Sequence, residues 1–157
     1  MSVEIAAPET RSFRATSDQV AEIDAWIETA TARWRLAEDV VFRARVCVAE
    51  IAANVMEHGR AQADWDEIAV TLRPSADALD LEITDTGRPF DPTRPAPAAG
   101  QATEPFGGRG LRLLRAYASA MSYRRDSGHN ILSLRVVPAA RSANRADRGG
   151  AAPDPHA

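Results

Sequence analysis

The first part of the chain carries apolar residues with the spacing of an amphipathic helix. These residues recur at steps of three and four, which places them on one helix face. They are Val20, Ile23, Ile27, Ala30 and Trp34. Ser17 is a suitable N-cap for this helix, and Asp18 competes with it for that position.

A second amphipathic helix is predicted over residues 38–57. Its apolar stripe consists of Val41, Ala44, Val48, Ile51 and Val55. Gly59 follows the helix, and glycine commonly ends helices because it adopts the left-handed conformation at no steric cost.

Alternating apolar and polar residues predict four strands in the second half of the chain. Two of them flank the turn sequence PSADA and form a hairpin; their apolar residues are Ile68, Val70, Leu72, Leu79, Leu81 and Ile83. The other two, at residues 121–125 and 131–137, flank the turn sequence DSGHN. A third helix is predicted over residues 111–120.

The order of elements predicts the fold class. Residues 86–108 form a long loop rich in proline and glycine, and loops of this length in compact domains are usually functional or mobile. The order β-α-α-β-β-loop-α-β-β is typical of an α+β fold. We expect a two-layer sandwich with helices on one face of a mixed, mainly antiparallel sheet.

The length of 157 residues predicts a single domain. Residues 139–157 contain almost no large apolar side chains and much alanine, proline, glycine and arginine. Such a segment buries too little surface to offset its ordering entropy, so we expect a disordered tail. We expect residues 1–10 to be loosely ordered and residues 11–138 to form the folded domain.

Composition excludes several classes of chemistry. The 19 basic and 22 acidic residues give a net charge of −3, which argues against nucleic acid as a direct partner. Every basic residue is arginine, so a lysine Schiff base and a Walker P-loop are excluded. Cys47 is the sole cysteine, which excludes intrachain disulfides and a cysteine-rich zinc site. No apolar run spans a membrane and no signal peptide is evident, so we expect a cytoplasmic protein without membrane contact.

Three short motifs carry candidate chemistry. Glu50, Asn54 and His58 are spaced by four, which places them in a row at the rim of the second helix. Alone, this row favours a solvated helix face with a C-terminal histidine near the helix dipole. It indicates a metal site only weakly, because two ligands stand without a third.

The second and third motifs lie on either side of the long loop. Asp85 ends a strand and is followed by Gly87, Phe90 and Asp91, a pattern shared by plain Asp-x-Gly turns and by carboxylates that accept a hydrogen bond from an exocyclic amine. The third motif opens the third helix, where it forms either an anion site or a flexible loop with a glycine N-cap. It comprises Phe106, Gly107, Gly108, Arg109, Gly110 and Leu111.

The order of the three motifs is more specific than any one of them. It resembles the nucleotide-binding domain shared by gyrase, Hsp90, histidine kinases and MutL, known as the GHKL or Bergerat fold. It is most similar to the small bacterial anti-sigma-factor serine kinases of that superfamily. The blocks VCVAEIAANVMEHG, LEITDTGRPFDP and FGGRGLRLLRAYASAMSYRRDSGHNILSLRV carry this resemblance over residues 11–137.

The resemblance implies an ATP- and Mg²⁺-dependent serine/threonine protein kinase and a role for each motif residue. Glu50 corresponds to the general base and Asn54 to the magnesium ligand. Asp85 corresponds to the carboxylate that recognises the adenine amino group, with Gly87 under the base and Phe90 nearby. The glycine motif corresponds to the hinge and anion-binding part of a phosphate lid over residues 92–106. Its nucleotide-binding members are Gly107, Gly108, Arg109, Gly110 and Leu111.

The family often places a small hydroxyl residue of the last strands near the adenine. Here Asn130 or Ser133 is an approximate substitute. Cys47 lies on the same side of its helix as Asn54, so it either approaches the pocket or fills the core, and we expect no ligand role for it.

The resemblance also implies partners. They are a STAS-type anti-anti-sigma-factor-like protein as substrate, a sequestered protein such as a sigma factor, and a second copy in a homodimer. The alternative is a non-enzymatic ATP-binding switch that controls a protein partner. The carboxylate at Glu50 favours the kinase, because a switch does not require it.

Overall fold

The computed structural model describes residues 6–58, 67–94 and 108–139. These ranges contain five strands and three helices. In chain order they are β1 (Glu9–Arg14), α1 (Gln19–Thr31), α2 (Glu38–His58), β2 (Glu67–Pro74), β3 (Leu79–Asp85), α3 (Gly108–Tyr117), β4 (Ala120–Asp126) and β5 (His129–Val136).

The strands form one sheet in the order β1-β2-β3-β5-β4. All four pairings are antiparallel, so the described strands include no parallel pair of the kind that a mixed sheet contains. The helices lie together on one face of the sheet, with α2 in contact with α1, α3, β3 and β5. This arrangement confirms the predicted α+β sandwich.

The core lies between α2 and the central strands. The alternating apolar residues of β2 and β3 point to the helices, and each is at most 2% exposed, as the pattern predicted. Burial of this apolar row provides the main driving force for closing the two layers. The same alternation extends to Asp85, which ends the buried row of β3.

The buried face of α2 is wider than the predicted stripe. Val40 is fully buried in its first turn, whereas the predicted Val41 is only half-buried. Cys47 and Ala52 are also fully buried. The reason is that α2 packs against α1 on one side and α3 on the other as well as against the sheet, and a single stripe describes only one of these contacts.

Several element boundaries differ from the sequence-based expectation. Asp18, not Ser17, is the N-cap of α1, and its side chain makes no capping hydrogen bond. β1 begins at Glu9, before the expected start of the folded domain. α3 begins at Gly108 and ends at Tyr117, because Ala120 already pairs in β4. Gly59, the loop residues 95–107 and the tail from residue 140 lie outside the described residues.

The turn between β4 and β5 sets the register of the last hairpin. Ser127 and Gly128 both have positive φ, at 49° and 82°, which is the combination that a tight type I′ hairpin requires. The turn leaves Asp126 opposite His129 and therefore Arg125 opposite Asn130. This register brings polar side chains to the end of the sheet where β3 also ends.

Candidate functional site

A pocket opens between the C-terminal half of α2, the turn after β3 and the ends of β4 and β5. It has a volume of about 490 Å³, including space open to solvent. Its lining residues are Ile51, Asn54, Val55, Asp85, Arg88, Phe90, Pro92, Leu114, Tyr123, Asn130 and Leu132. Largely apolar walls with a few convergent polar groups are typical of sites for small organic ligands.

The pocket brings together the first two sequence motifs. Asn54 from α2, and Asp85 and Phe90 from the segment after β3, all line it. Gly87 lies directly beside Asp85, to which its N–H donates a hydrogen bond. Leu111 does not line the pocket and instead packs half-buried against the core.

The third motif is described in part. Gly107 lies outside the described residues. Gly108 and Arg109 belong to the first turn of α3, and the Arg109 side chain is outside the described part of the chain. The side chain of His58, the last residue of α2, is likewise outside the described part of the chain.

Asp85 is a buried carboxylate at the inner end of the pocket, with 8% of its surface exposed. Its Oδ1 accepts hydrogen bonds from the Gly87 backbone N–H at 2.8 Å and from Asn130 Nδ2 at 2.9 Å. Donors of this kind offset the cost of burying a charged group. The hydrogen bond from Gly87 therefore holds the turn after β3 against the Asp85 carboxylate.

Asn130 is buried beside Asp85 and uses both ends of its amide. Nδ2 also donates to the Arg88 carbonyl at 2.9 Å, while Oδ1 accepts from Tyr123 Oη at 2.8 Å and from Arg125 Nη1 at 2.7 Å. Arg125 Nη1 donates in addition to the Gly87 carbonyl at 3.1 Å. Together with Asp85, six residues thus form one hydrogen-bonded network around the inner end of the pocket.

The register of β5 separates the two positions that the sequence suggested near the base. Asn130 pairs with Asp85, whereas Ser133 pairs with Glu82 and Ser122 on the opposite face of the sheet. Only Asn130 can therefore contribute to the pocket. The alternation of the buried Leu132 and Leu134 along β5 is the sequence signal that distinguishes these two positions.

Sequence reasoning missed the contributions of Arg88, Tyr123 and Arg125. Tyr123 and Arg125 are recognisable only once β4 is paired with β5, because the pairing determines which of its side chains face Asn130. Arg88 follows the Asp-x-Gly turn and lines the pocket, yet no periodicity in a turn predicts where its side chain points.

The first turn of α3 lies against the polar row of α2. A Cβ placed on Gly110 would lie 2.5 Å from Glu50 Oε2 and 3.8 Å from Asn54 Nδ2. The absence of a side chain at Gly110 therefore allows the two helices to approach at the Glu50 carboxylate. This contact places a carboxylate and an amide beside a helix N-terminus, where unpaired N–H groups favour negatively charged ligands.

Cys47 belongs to the core and not to the pocket. It is fully buried, and burial raises the pKa of its thiol to about 12, with Glu50 adding to the rise and Arg43 opposing it. A neutral thiol is a poor nucleophile and a poor metal ligand. Of the two alternatives for Cys47, the structure favours the core filler.

No helix within residues 6–58, 67–94 and 108–139 combines the length and apolarity that crossing a bilayer requires. The same ranges contain no group of three or more histidine, cysteine, aspartate or glutamate side chains arranged to hold a metal ion.

Comparison with known proteins identifies the family. Residues 13–136 match the model of the histidine kinase-like ATPase domain. The chain is 33% identical over 112 residues to the serine/threonine-protein kinase BtrW of Bordetella bronchiseptica. The aligned region covers 69% of this chain and 79% of that relative.

Two solved structures share the fold at low identity. The RsbU and RsbW domains of Rv1364c from Mycobacterium tuberculosis superpose with a TM-score of 0.62 at 16% identity, covering 84% of this chain and 32% of that one. The histidine kinase domain of the Erythrobacter litoralis blue-light activated histidine kinase has a TM-score of 0.50 at 14% identity, covering 83% and 64%. This chain thus spans about a third of the length of the first structure and under two thirds of the length of the second. Together with the match over residues 13–136, these findings show that the chain belongs to the histidine kinase-like ATPase domain family.

Proposed function

We propose that this protein is a serine/threonine protein kinase that binds ATP with Mg²⁺ and phosphorylates a protein partner. The observation that carries the proposal is the placement of three motif residues. Asp85 and Asn54 line one pocket, and Glu50 lies one helical turn from Asn54 against the start of α3. The kinase BtrW, at 33% identity, supports the same activity.

The inner end of the pocket suits the base of an adenine nucleotide. The Asp85 carboxylate would accept a hydrogen bond from the exocyclic amino group, while the apolar side chains of Ile51, Phe90 and Leu132 would cover the ring. A carboxylate repels the carbonyl oxygen that guanine carries at the corresponding position, so this site favours ATP over GTP.

The donor set near α3 fits a magnesium ion that is held mainly by phosphates and water. Asn54 lines the pocket and supplies an amide oxygen; magnesium commonly binds with only one or two protein ligands and keeps several waters. Asn54 would hold the ion, and the ion would neutralise phosphate charge. Gly107, Gly108, Arg109 and the start of α3 would contact the phosphates.

Glu50 would act as the general base. Its carboxylate would accept the proton of the incoming serine hydroxyl while the hydroxyl oxygen bonds to the γ-phosphorus. The bond from that phosphorus to the bridging oxygen of ADP breaks, and ADP leaves. Most of the acceleration in such transfers comes from positioning and charge stabilisation, with about 10²–10⁴-fold from a positioned base.

The substrate that we propose is a small STAS-type antagonist, and the proposed second partner is a protein such as a sigma factor, sequestered by a homodimer of this chain in the cytoplasm. The support is the resemblance of the three motifs to anti-sigma-factor kinases and the fold shared with the RsbW-containing structure.

The direct test is phosphorylation of a candidate antagonist with labelled ATP and Mg²⁺, followed by identification of the modified residue by mass spectrometry. We expect phosphoserine or phosphothreonine on the antagonist. A wild-type protein that binds ATP and its partner but transfers no phosphate would instead establish the non-enzymatic switch.

A further inference from the structure

We infer that Asn130, itself held by Tyr123 and Arg125, is a positioning residue that orients the Asp85 carboxylate and so sets the preference for a base with an exocyclic amino group. The inference rests on the proposed function, because it concerns the same pocket. It assigns a role to three side chains of the last hairpin, of which Tyr123 and Arg125 lie outside the three short motifs that carry candidate chemistry.

The geometry begins with a row of side chains across three strands. Asp85 on β3 pairs with Asn130 on β5, which pairs in turn with Arg125 on β4. Directly opposed residues of an antiparallel sheet point to the same face. All three therefore lie on the face that carries the pocket, at the end of the sheet.

The amide of Asn130 has one orientation that satisfies its neighbours. Oδ1 accepts from two donors, Tyr123 Oη and Arg125 Nη1, at 2.8 and 2.7 Å. Nδ2 donates to Asp85 Oδ1 and to the Arg88 carbonyl, both at 2.9 Å. A rotated amide would turn its oxygen towards these two acceptors and its N–H groups towards Arg125, which can only donate. The guanidinium thus ensures that Asn130 presents a donor to Asp85, and the Tyr123 hydroxyl donates to the amide oxygen in that orientation.

This fixed donor determines what Asp85 offers to a ligand. Asp85 and Asn130 are 8% and 5% exposed, so water contributes little to their orientation. With Oδ1 engaged by Asn130 and by the Gly87 N–H, the carboxylate is an acceptor with a set direction. It therefore matches a donor on the ligand, and a base without the exocyclic amino group forgoes that hydrogen bond.

The same network fixes the turn beneath the ligand. Asn130 and Arg125 donate to the carbonyls of Arg88 and Gly87, which holds the backbone of the Asp-x-Gly turn in place. Because Arg125 is exposed, it is the member of the network that is most readily changed without disturbing the core.

The test compares ATP with purine riboside 5′-triphosphate, which has hydrogen in place of the 6-amino group. Calorimetry with Mg²⁺ is run on the full chain. For the wild type we expect ATP to bind at least about tenfold tighter than the analogue. Asn130→Ala should weaken ATP binding about tenfold and change analogue binding by less than about twofold, because only ATP uses the oriented carboxylate.

Two further variants separate positioning from general damage. Arg125→Ala keeps the buried amide and should reduce the ratio of ATP affinity to analogue affinity by about threefold. This variant provides the test if Asn130→Ala fails to fold. Ser133→Ala, on the same strand but on the opposite face of the sheet, should leave both affinities unchanged.

Equal losses for the two nucleotides in the Asn130 and Arg125 variants would show a merely structural role and overturn the inference. A ratio of ATP affinity to analogue affinity that is unchanged in both variants would also overturn the inference. The proposal that the pocket binds ATP would survive that result. A wild type that binds neither nucleotide would refute the proposed function as well, so the two failures are distinguishable.

Discussion

The two ends of the pocket are built in different ways. At the inner end, Asp85, Asn130 and Arg125 form a row across three paired strands and are connected by hydrogen bonds of 2.7–2.9 Å. At the other end, Asn54 lines the pocket from α2, and Glu50, one helical turn before it, lies against the first turn of a second helix at Gly110. The first end is positioned by strand register, the second by the close approach of two helices.

This difference indicates how each end tolerates change. A hydrogen-bonded row in a buried sheet has one arrangement, so it suits recognition of an unchanging group such as a base. A carboxylate at the end of a flexible side chain is displaced readily, and its position depends on what α3 presents to it. We therefore expect changes at the helix crossing to affect catalysis and changes in the strand row to affect selectivity.

The largest expected effect is on phosphoryl transfer. Glu50→Gln keeps the shape of the side chain but removes the proton acceptor, so transfer to the protein substrate should fall by about 10²–10⁴-fold while ATP affinity stays within about threefold. Single-turnover transfer and calorimetry measure the two quantities. Glu38→Gln, an exposed position on the same helix, is the control. Transfer at the wild-type rate in Glu50→Gln would exclude Glu50 as the base.

Gly110→Ala tests the helix crossing without removing the carboxylate. The new methyl group would meet Glu50 Oε2, and the flexible side chain should move aside. A displacement of about 1 Å can cost roughly 10²-fold in rate, whereas alanine favours the helix by about 1 kcal/mol. We expect slower transfer and an unchanged or higher melting temperature. Wild-type transfer with a normal melting temperature would show that the position of Glu50 does not matter.

Asp85→Asn addresses the strand row. It replaces the acceptor that faces the base and disturbs the bond from Asn130, so ATP binding should weaken by about 1–3 kcal/mol. Asp80→Asn, on the same strand but paired with Arg135 outside the pocket, should leave ATP affinity unchanged. Calorimetry measures both. An Asp85→Asn protein with wild-type affinity would remove the carboxylate from base recognition.

The smallest expected effect on binding belongs to Cys47, which lies in the core. Cys47→Ser should leave ATP affinity within about threefold, because the thiol is neither ligand nor nucleophile. A tenfold loss of affinity would place Cys47 in the site after all.

Cys47 should also contribute to the pH dependence of stability. The pKa of the thiol is raised from 9.0 to about 12 in the folded protein, so the stability that the neutral thiol provides is complete below about pH 9 and is lost as the pH rises towards 12. The free energy of unfolding in urea should therefore decrease more between pH 8 and pH 10.5 for the wild type than for Cys47→Ser. Equal decreases would contradict the raised pKa.

The sequence predicted the fold where periodicity was regular. The alternating residues of β2 and β3 and the stripe of α2 from Ala44 to Val55 are buried as expected. The start of α2 at Glu38 was predicted correctly, but Val40 and not Val41 is its first fully buried residue, because α2 packs against two helices as well as the sheet. The end of α3 was predicted late because the pairing of Ala120 in β4, a contact distant in sequence, ends the helical segment.

The candidate site was predictable to a smaller extent. Asn54, Asp85 and Phe90 are recognisable as parts of local motifs, and they line one pocket. Tyr123 and Arg125 carry no local signal, because their importance arises from a strand register that the Ser127–Gly128 turn imposes. Sequence reasoning could have chosen between Asn130 and Ser133, because the alternation along β5 assigns them to opposite faces of the sheet.

The most direct test of the central claim is wild-type binding of ATP and GTP, measured by calorimetry with Mg²⁺ and again with EDTA. An adenine site built on Asp85 and a magnesium ligand at Asn54 predict that ATP binds at least about tenfold tighter than GTP. They also predict that EDTA weakens ATP binding markedly. Equal affinity for the two nucleotides, or ATP binding that EDTA leaves unchanged, would contradict the account.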